Sequence, residues 1–171
     1  EIRRQHGWAL RHLGHYHRAK EDLEQCLASE KNADATQTKM FLVEVYRLSG
    51  DHEQALALAK DLRGQVESSQ RNLNILALAF AGAGDFEMAR LLGEQAVALV
   101  IRQHGEKHPH LIRAYDTLAT IAASEELPEE ALVFAKLGSE IARETLEEDH
   151  PARLFAESRM QELDLEVEPG K

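Results

Sequence analysis

"LSGDHEQALALAKDL", residues 48–62, returns in altered form as "GAGDFEMARLLGEQA", residues 82–96. In each stretch a glycine is followed directly by an aspartate and, five positions after the glycine, by an alanine. A glycine between two helices takes the left-handed conformation that ends the first helix, and the aspartate can cap the second. The alanine falls where the two helices cross closely. The pattern therefore predicts helical hairpins.

Two further stretches extend the series, "LGHYHRAKEDLEQCL" at 13–27 and "SEELPEEALVFAKLG" at 124–138. The turn residues are Gly14, Gly50, Gly84 and Glu126, and the alanines five positions later are Ala19, Ala55, Ala89 and Ala131. Successive turns are 50 − 14 = 36, 84 − 50 = 34 and 126 − 84 = 42 residues apart. Such periods are typical of repeat proteins, in which each unit buries its apolar face against the next.

The composition favours an all-α fold. The chain has four prolines and 5% aromatic residues, and its alanines and leucines recur at steps of three and four, which is the period of a helix. No strand is predicted. The predicted helices cover residues 2–13, 17–29, 36–48, 52–66, 70–82, 86–103, 109–123, 128–145 and 151–165.

The charge and the cysteine content exclude several classes of protein. Lysine and arginine number 20 against 30 acidic residues, a net charge of −10, which argues against a nucleic-acid surface or an anionic membrane as partner. The most apolar run, which begins at Leu73, is much shorter than the roughly 20 residues that span a bilayer. A single cysteine, Cys26, excludes internal disulfides and fits a reducing compartment. We therefore expect a cytoplasmic protein and, because the chain starts at Glu1 inside a helical pattern, a piece of a longer one.

The stretches "HGEKHPH" at 104–110 and "LEEDHP" at 146–151 each contain a His-Pro pair, and the pairs are 150 − 108 = 42 residues apart. The proline restricts the preceding histidine to an extended conformation and itself suits the first turn of a helix. Gly105 is placed to end a helix that runs from about Phe86 to Gln103. We interpret both stretches as connectors between helices, because the second keeps only one histidine and a metal site needs several.

Other reactive residue types lack a supporting motif. His12, His15 and His17 surround a predicted turn and are interpreted as turn residues, and Cys26 stands at a small-residue packing position. No glycine-rich loop follows a predicted strand. The sequence therefore predicts no catalytic residue, no metal ligand and no cofactor, and the protein is not expected to be an enzyme.

The four units resemble the tetratricopeptide repeat family, whose unit is a helical hairpin of about 34 residues. The matching positions are Gly7, Leu10, Gly14, Tyr16, Ala19, Leu23 and Cys26; Leu42, Val43, Tyr46, Gly50, Ala55, Ala59 and Leu62; Leu76, Ala77, Phe80, Gly84, Phe86, Ala89, Gly93 and Ala96; and Leu118, Ala119, Ala122, Ala131, Ala135 and Gly138. Glu126 stands where the family has glycine. The 42-residue unit is similar to the lengthened repeats of kinesin light chains.

The resemblance implies a right-handed α-solenoid of antiparallel hairpins in a single domain over residues 1–165. Its units are expected at about 1–30, 36–66, 70–104 and 109–146, followed by a capping helix at 151–165 and a frayed tail at 166–171. The capping helix is expected to present a polar outer face with Arg153, Glu157, Arg159, Gln161 and Glu162.

The resemblance also implies a protein-interaction scaffold that binds a peptide in a concave groove lined by the first helix of each hairpin. The positions carried over to that groove are Arg4, Trp8, Arg11, Met40, Glu44, Arg47, Arg71, Asn74, Leu78, Arg113, Asp116 and Thr120. Five of them are arginines, which predicts a locally positive groove and an acidic peptide or protein as partner, with Trp8 as an apolar anchor. In the alternative interpretation the arginines only solubilise the surface and Trp8 packs against a preceding helix.

Two other functions stay open at this point. The repeats can regulate an attached effector domain, or the histidines can build a metal-dependent enzyme, which is the less favoured of the two. No nucleic acid or membrane partner is expected, while self-association through the exposed ends of the solenoid stays open.

Overall fold

The protein is described by a computed structural model that covers residues 2–29, 33–65 and 69–167. Over these ranges the chain forms nine α-helices and no strand, so the predicted all-α fold is confirmed. The helices are α1 (Ile2–His12), α2 (Tyr16–Ser29), α3 (Ala33–Leu48), α4 (His52–Leu62), α5 (Gln70–Gly82), α6 (Phe86–His104), α7 (His110–Ser124), α8 (Pro128–Thr145) and α9 (Pro151–Val167). Helix α4 ends four residues before its predicted end, whereas α9 continues through Val167, two residues into the predicted tail.

The chain divides into two compact units, Glu1–Ser68 and Ser69–Lys171. Unit 1 contains α1–α4 and unit 2 contains α5–α9. In each unit every helix packs against the next, and the odd-numbered helices also contact one another, α1 with α3, α5 with α7 and α7 with α9. We call the odd-numbered helices A helices and the even-numbered ones B helices. The A-helix face of a unit is the side on which its A helices lie next to each other.

The turns inside the hairpins have the predicted backbone conformation. Gly14, Gly50 and Gly84 have φ angles of 76°, 81° and 79°. The aspartates after two of these glycines cap the next helix: Asp51 accepts a hydrogen bond from the Gln54 backbone N–H at 3.4 Å, and Asp85 caps α6 in the same way. The glycine at each of these three turns, and the aspartate after two of them, therefore favour the turn through residues that are adjacent in the sequence.

The fourth turn reaches the same conformation without glycine. Glu126 has a φ of 61°, which is unfavourable for a residue with a Cβ atom. The turn is held by Arg90 of α6, which donates two hydrogen bonds of 2.7 Å to the Glu130 carboxylate and a third to Glu125. The Arg90 hydrogen bond holds the pKa of Glu130 below its ordinary value. An ion pair from another helix thus stabilises a turn that its own sequence disfavours.

Replacing Glu126 with glycine is expected to stabilise unit 2 by about 1 kcal/mol, because it removes the left-handed strain from an exposed position. Glu140 is an exposed residue in the interior of α8, and its replacement with glycine is expected to destabilise the unit by about 1 kcal/mol. Urea unfolding of both variants measures the two changes. Stability that falls in Glu126→Gly would show that the turn carries no strain.

The helices approach closely at small residues, as the sequence predicts. Ala19, Ala55, Ala89 and Ala131 are fully buried, and Cys26 is buried as well. A Cβ atom added to Gly93 of α6 would lie 2.7 Å from Leu118 Cδ2, and one added to Gly7 of α1 would lie 2.8 Å from Leu23 Cγ. These contacts leave no space for a larger side chain.

The outer side of α9 is less polar than the sequence suggests. Two of the expected surface residues turn inward: Arg153 donates to the Leu146 carbonyl oxygen at 3.1 Å, and Glu157 accepts from Arg143 of α8 at 2.9 Å. The exposed apolar residues of this helix are Leu154, Phe155 and Leu165. The expectation of a uniformly polar outer face is therefore corrected to a mixed one.

Candidate functional site

On the A-helix face of unit 1, α1 and α3 are joined by an ion pair. Arg11 Nη1 donates to Glu44 Oε1 at 2.9 Å, and the two side chains are only 12% and 15% exposed. Met40 is in the core of the unit at 5% exposure, and Arg4 is half-buried. The side chain of Trp8 lies outside the described residues. Of the predicted groove positions in α1, neither arginine is therefore a freely exposed cation.

Arg47 differs from these residues. It is half-buried, and within the described part of the chain no carboxylate lies within ion-pairing distance of it. Burial lowers the pKa of its guanidinium, an effect that Glu44 opposes and Arg11 adds to. Since an arginine keeps its charge in proteins, Arg47 adds a positive charge next to the Arg11–Glu44 ion pair.

In unit 2 the A-helix face begins with α5. Arg71 is exposed and Leu78 is half-buried. Asn74 is 5% exposed, and its Nδ2 donates to the backbone oxygen of Arg113 in α7 at 3.4 Å. Asn74 therefore connects α5 to α7 and is not offered at the surface as the sequence suggested.

The face continues from α7 to α9. The Asp116 carboxylate lies 3.4 Å from Arg113 Nη1 and 3.9 Å from Arg159 Nε. Burial nevertheless raises the pKa of Asp116 above its ordinary value, against the effect of both arginines. The Arg113 side chain is 69% exposed, and its guanidinium carbon lies 5.6 Å from the ring centroid of Phe155. Thr120 donates its hydroxyl hydrogen to the Asp116 backbone oxygen at 2.9 Å, so that hydroxyl is already engaged.

Sequence reasoning missed Phe155 and assigned Arg159 to a polar outer face, because α9 was expected to serve only as a cap. The signal was present in the 42-residue spacing of the His-Pro pairs. Adding 42 to 113 gives 155, so Phe155 occupies in α9 the position that Arg113 occupies in α7. Helix α9 thus supplies side chains to the same face as the A helices before it.

The histidines between α6 and α7 lie in the connector that joins these two helices. Gly105 has a φ of 89° and ends α6 directly after His104, as predicted. The rings of His104 and His108 stack at a centroid distance of 4.3 Å with 20° between their planes. Stacked rings place their faces together and do not aim their nitrogens at a common point. Across residues 2–29, 33–65 and 69–167, no group of three or more histidines, cysteines or carboxylates is arranged to hold a metal ion.

Comparison with known proteins identifies the repeats. The family model described as "Tetratricopeptide repeat" matches residues 65–144. Over residues 65–144 the chain is similar to tetratricopeptide repeats. The resemblance is therefore confirmed for the third and fourth units, and the match contains the 42-residue spacing between their turns at Gly84 and Glu126. Tetratricopeptide repeats generally mediate interactions between proteins and are generally not enzymes.

Solved structures of tetratricopeptide-like repeats have the same fold. One is a crystal structure of nearly identical TPR-like repeats of a Podosopora anserina protein assigned as a kinesin light chain. It is 20% identical in sequence, has a TM-score of 0.73, and the match covers 99% of this chain and 87% of that one. A single-residue variant of the same protein has a TM-score of 0.74 at 20% identity, with 99% and 86% coverage. At this identity the likeness shows the fold alone, and it confirms an all-α repeat architecture.

The search of curated proteins found no match. Among the helices of the described residues, none combines the length and the hydropathy needed to cross a bilayer.

Proposed function

We propose that this protein is an interaction module whose A-helix faces bind a segment of a partner protein that carries acidic side chains. The observation that carries the proposal is Arg47. Its half-buried guanidinium has lost part of its hydration and, among residues 2–29, 33–65 and 69–167, has no carboxylate within ion-pairing distance. A carboxylate from a partner would supply that interaction in a bidentate geometry.

The exposed arginines of unit 2 support the same class of partner. Arg113 extends into solvent at 69% exposure beside the partly exposed ring of Phe155. An aromatic ring next to a cation suits a segment in which acidic and apolar residues are close together, because aromatic and arginine side chains dominate binding energy at interfaces. Met40 and Asn74 are left out of the proposed contact set because both are in the core.

The proposal is tested by selecting binders from a library of random 12-residue peptides displayed on phage. The selected peptides are expected to be rich in aspartate and glutamate. Their affinity is expected to fall about tenfold in Arg47→Gln, which corresponds to the loss of one charged hydrogen-bond pair. Fluorescence anisotropy with a labelled peptide measures the dissociation constant, and circular dichroism checks that the variant keeps its helicity.

The matched control is Arg18→Gln, since Arg18 is an exposed arginine on the B helix α2 of the same unit. For unit 2 the corresponding pair is Arg113→Gln with Arg102→Gln on α6 as control. If Arg47→Gln and Arg113→Gln bind the peptides as tightly as the wild type, the A-helix faces are not the binding site. The same conclusion follows if the two B-helix controls lose affinity to the same extent. Selected peptides without acidic residues would overturn the proposed partner class.

A further inference from the structure

The connector between α6 and α7 brings three imidazole rings together. His104 is the last residue of α6, His108 precedes Pro109, and His110 is the first residue of α7. The three ring centroids form a triangle: that of His108 lies 4.3 Å from His104 and 4.6 Å from His110, and His104 and His110 are 5.5 Å apart. Three groups that can each gain a positive charge therefore share one small volume.

His108 accepts two hydrogen bonds from the first turn of α7. Its Nδ1 accepts a hydrogen bond from the His110 backbone N–H at 3.2 Å, and its carbonyl oxygen accepts from the Leu111 N–H at 2.9 Å. Because Pro109 has no N–H, the His110 amide is the first donor of the new helix that needs a partner. The imidazole of His108 thus performs the role of a helix N-cap, and only its neutral form with an unprotonated Nδ1 can accept this bond.

The second His-Pro pair repeats the geometry. His150 Nδ1 accepts from the Ala152 backbone N–H at 3.1 Å at the start of α9. Its surroundings in the sequence differ, because three acidic residues, Glu147, Glu148 and Asp149, precede it. The same histidine cap therefore occurs at the start of α7, next to other histidines, and at the start of α9, next to carboxylates in the sequence.

The charged and titratable groups around His108 come from three helices and the connector. They are His104 from α6, Glu106 and Lys107 from the connector, His110 and Tyr115 from α7, and Glu144 from α8, which pairs with Lys107 at 3.0 Å. Burial and the two neighbouring histidines lower the pKa of His108. Since Lys107 is paired with Glu144, the groups closest to the His108 ring are the two other imidazoles.

We propose that the α6–α7 connector is a pH-sensitive helix cap, closed when the histidines are neutral and opened by their protonation in mildly acidic solution. Protonation of His108 removes the Nδ1 acceptor and places a positive charge at the positive end of the α7 dipole. Charge on His104 and His110 adds repulsion at ring distances of 4.3 to 5.5 Å. The first turn of α7 then loses its cap, and this turn holds Leu111 and Ile112 in the core.

The direction of the effect follows from the lowered pKa of His108. The pKa of His108 is lower in the folded protein than in the unfolded chain, where it is about 6.5. The neutral side chain therefore stabilises the folded state, and this stabilisation is complete above about pH 6.5. That stabilisation is lost as the pH falls from this value through the folded-state pKa. The cap is therefore closed at pH 7.5 and opens progressively below about pH 6.5.

The test is NMR spectroscopy of the full chain at pH 7.5 and 5.5. Long-range proton–nitrogen spectra at pH 7.5 are expected to show His108 with its proton on Nε2. Between the two pH values the exchange protection of the His110 amide, corrected for intrinsic exchange, is expected to fall about fivefold, as for the loss of a helix cap. In His108→Asn, where the side-chain oxygen caps without titrating, this fall is expected to disappear.

Two further variants keep the proposal falsifiable if His108→Asn does not fold. In the double variant His104→Gln, His110→Gln the fall in protection at residue 110 is expected to begin at a higher pH, because the neighbouring charges are gone. His150→Asn is the matched control and is expected to leave the behaviour of residue 110 unchanged. A proton on Nδ1 of His108 at pH 7.5, or an unchanged fall in His108→Asn and in the double variant, would overturn the proposal.

Discussion

Replacing Phe80 with alanine is expected to lower the free energy of unfolding of unit 2 by about 3–5 kcal/mol. Phe80 is in α5 at 2% exposure and is among the largest fully buried side chains of the described residues. Helix α5 packs against both α6 and α7, so a cavity at this position affects two interfaces. The loss combines the transfer free energy of the ring with the cost of the cavity, which packed helices fill only in part.

Phe155 provides a matched control with the same side chain at 44% exposure. Its replacement with alanine is expected to cost about 1–2 kcal/mol, less than the loss at Phe80, since 44% of the residue is already exposed to solvent in the folded protein. Urea unfolding followed by circular dichroism at 222 nm compares the two variants. If the two variants lose the same free energy of unfolding, the difference in burial between Phe80 and Phe155 does not determine their contributions to stability.

Replacing Gly93 with alanine is expected to lower the stability of unit 2 by up to about 2 kcal/mol. The new Cβ would lie 2.7 Å from Leu118 Cδ2 and 3.4 Å from Ile121 Cδ1, both on α7. Leu118 and Ile121 are buried and have little space in which to move, and overpacking of this kind costs about 1–3 kcal/mol. The higher helix propensity of alanine returns at most about 1 kcal/mol.

Gly138 is the control, because it is also a buried glycine inside a B helix of unit 2. A Cβ atom there would meet its nearest neighbours, the Ile112 oxygen and Tyr115 Cβ, at 3.7 Å, which is an ordinary contact. Gly138→Ala is therefore expected to raise stability by up to about 1 kcal/mol. Thermal unfolding of both variants shows whether each substitution raises or lowers the stability of unit 2. An increase in stability in Gly93→Ala would show that α6 and α7 can separate at little cost.

The repeat pattern predicted the fold because its signals are local. The glycine turns, the aspartate caps and the alanine crossings each depend on residues within about one helical turn of one another, and all of them appear in the structure. The pattern predicted the end of α4 poorly. Gly64 lies beyond Leu62, and the periodicity of the alanines and leucines does not show where the last turn stops.

The candidate site was predicted less completely than the fold. Met40 and Arg47 were both assigned to the groove by counting along α3 from its glycine turn, yet the first is in the core and the second is half-buried. Phe155 was missed altogether, although it is one 42-residue step beyond Arg113. Helical periodicity predicts which face of a helix carries a residue. Whether that residue is exposed depends on how the neighbouring helices pack against the face.

The sequence by itself determined the all-α repeat architecture, the left-handed turn positions and the two His-Pro connectors, because short-range backbone preferences produce each of them. The tertiary structure decided which charges pair. Arg11 meets Glu44 across 33 residues, Asn74 reaches the Arg113 backbone across 39, and Arg90 reaches Glu130 across 40. These partners lie about one repeat apart and meet only when neighbouring hairpins stack. Among the described residues, the same packing leaves Arg47 outside ion-pairing distance of any carboxylate, and it brings the His108 ring next to two other imidazoles.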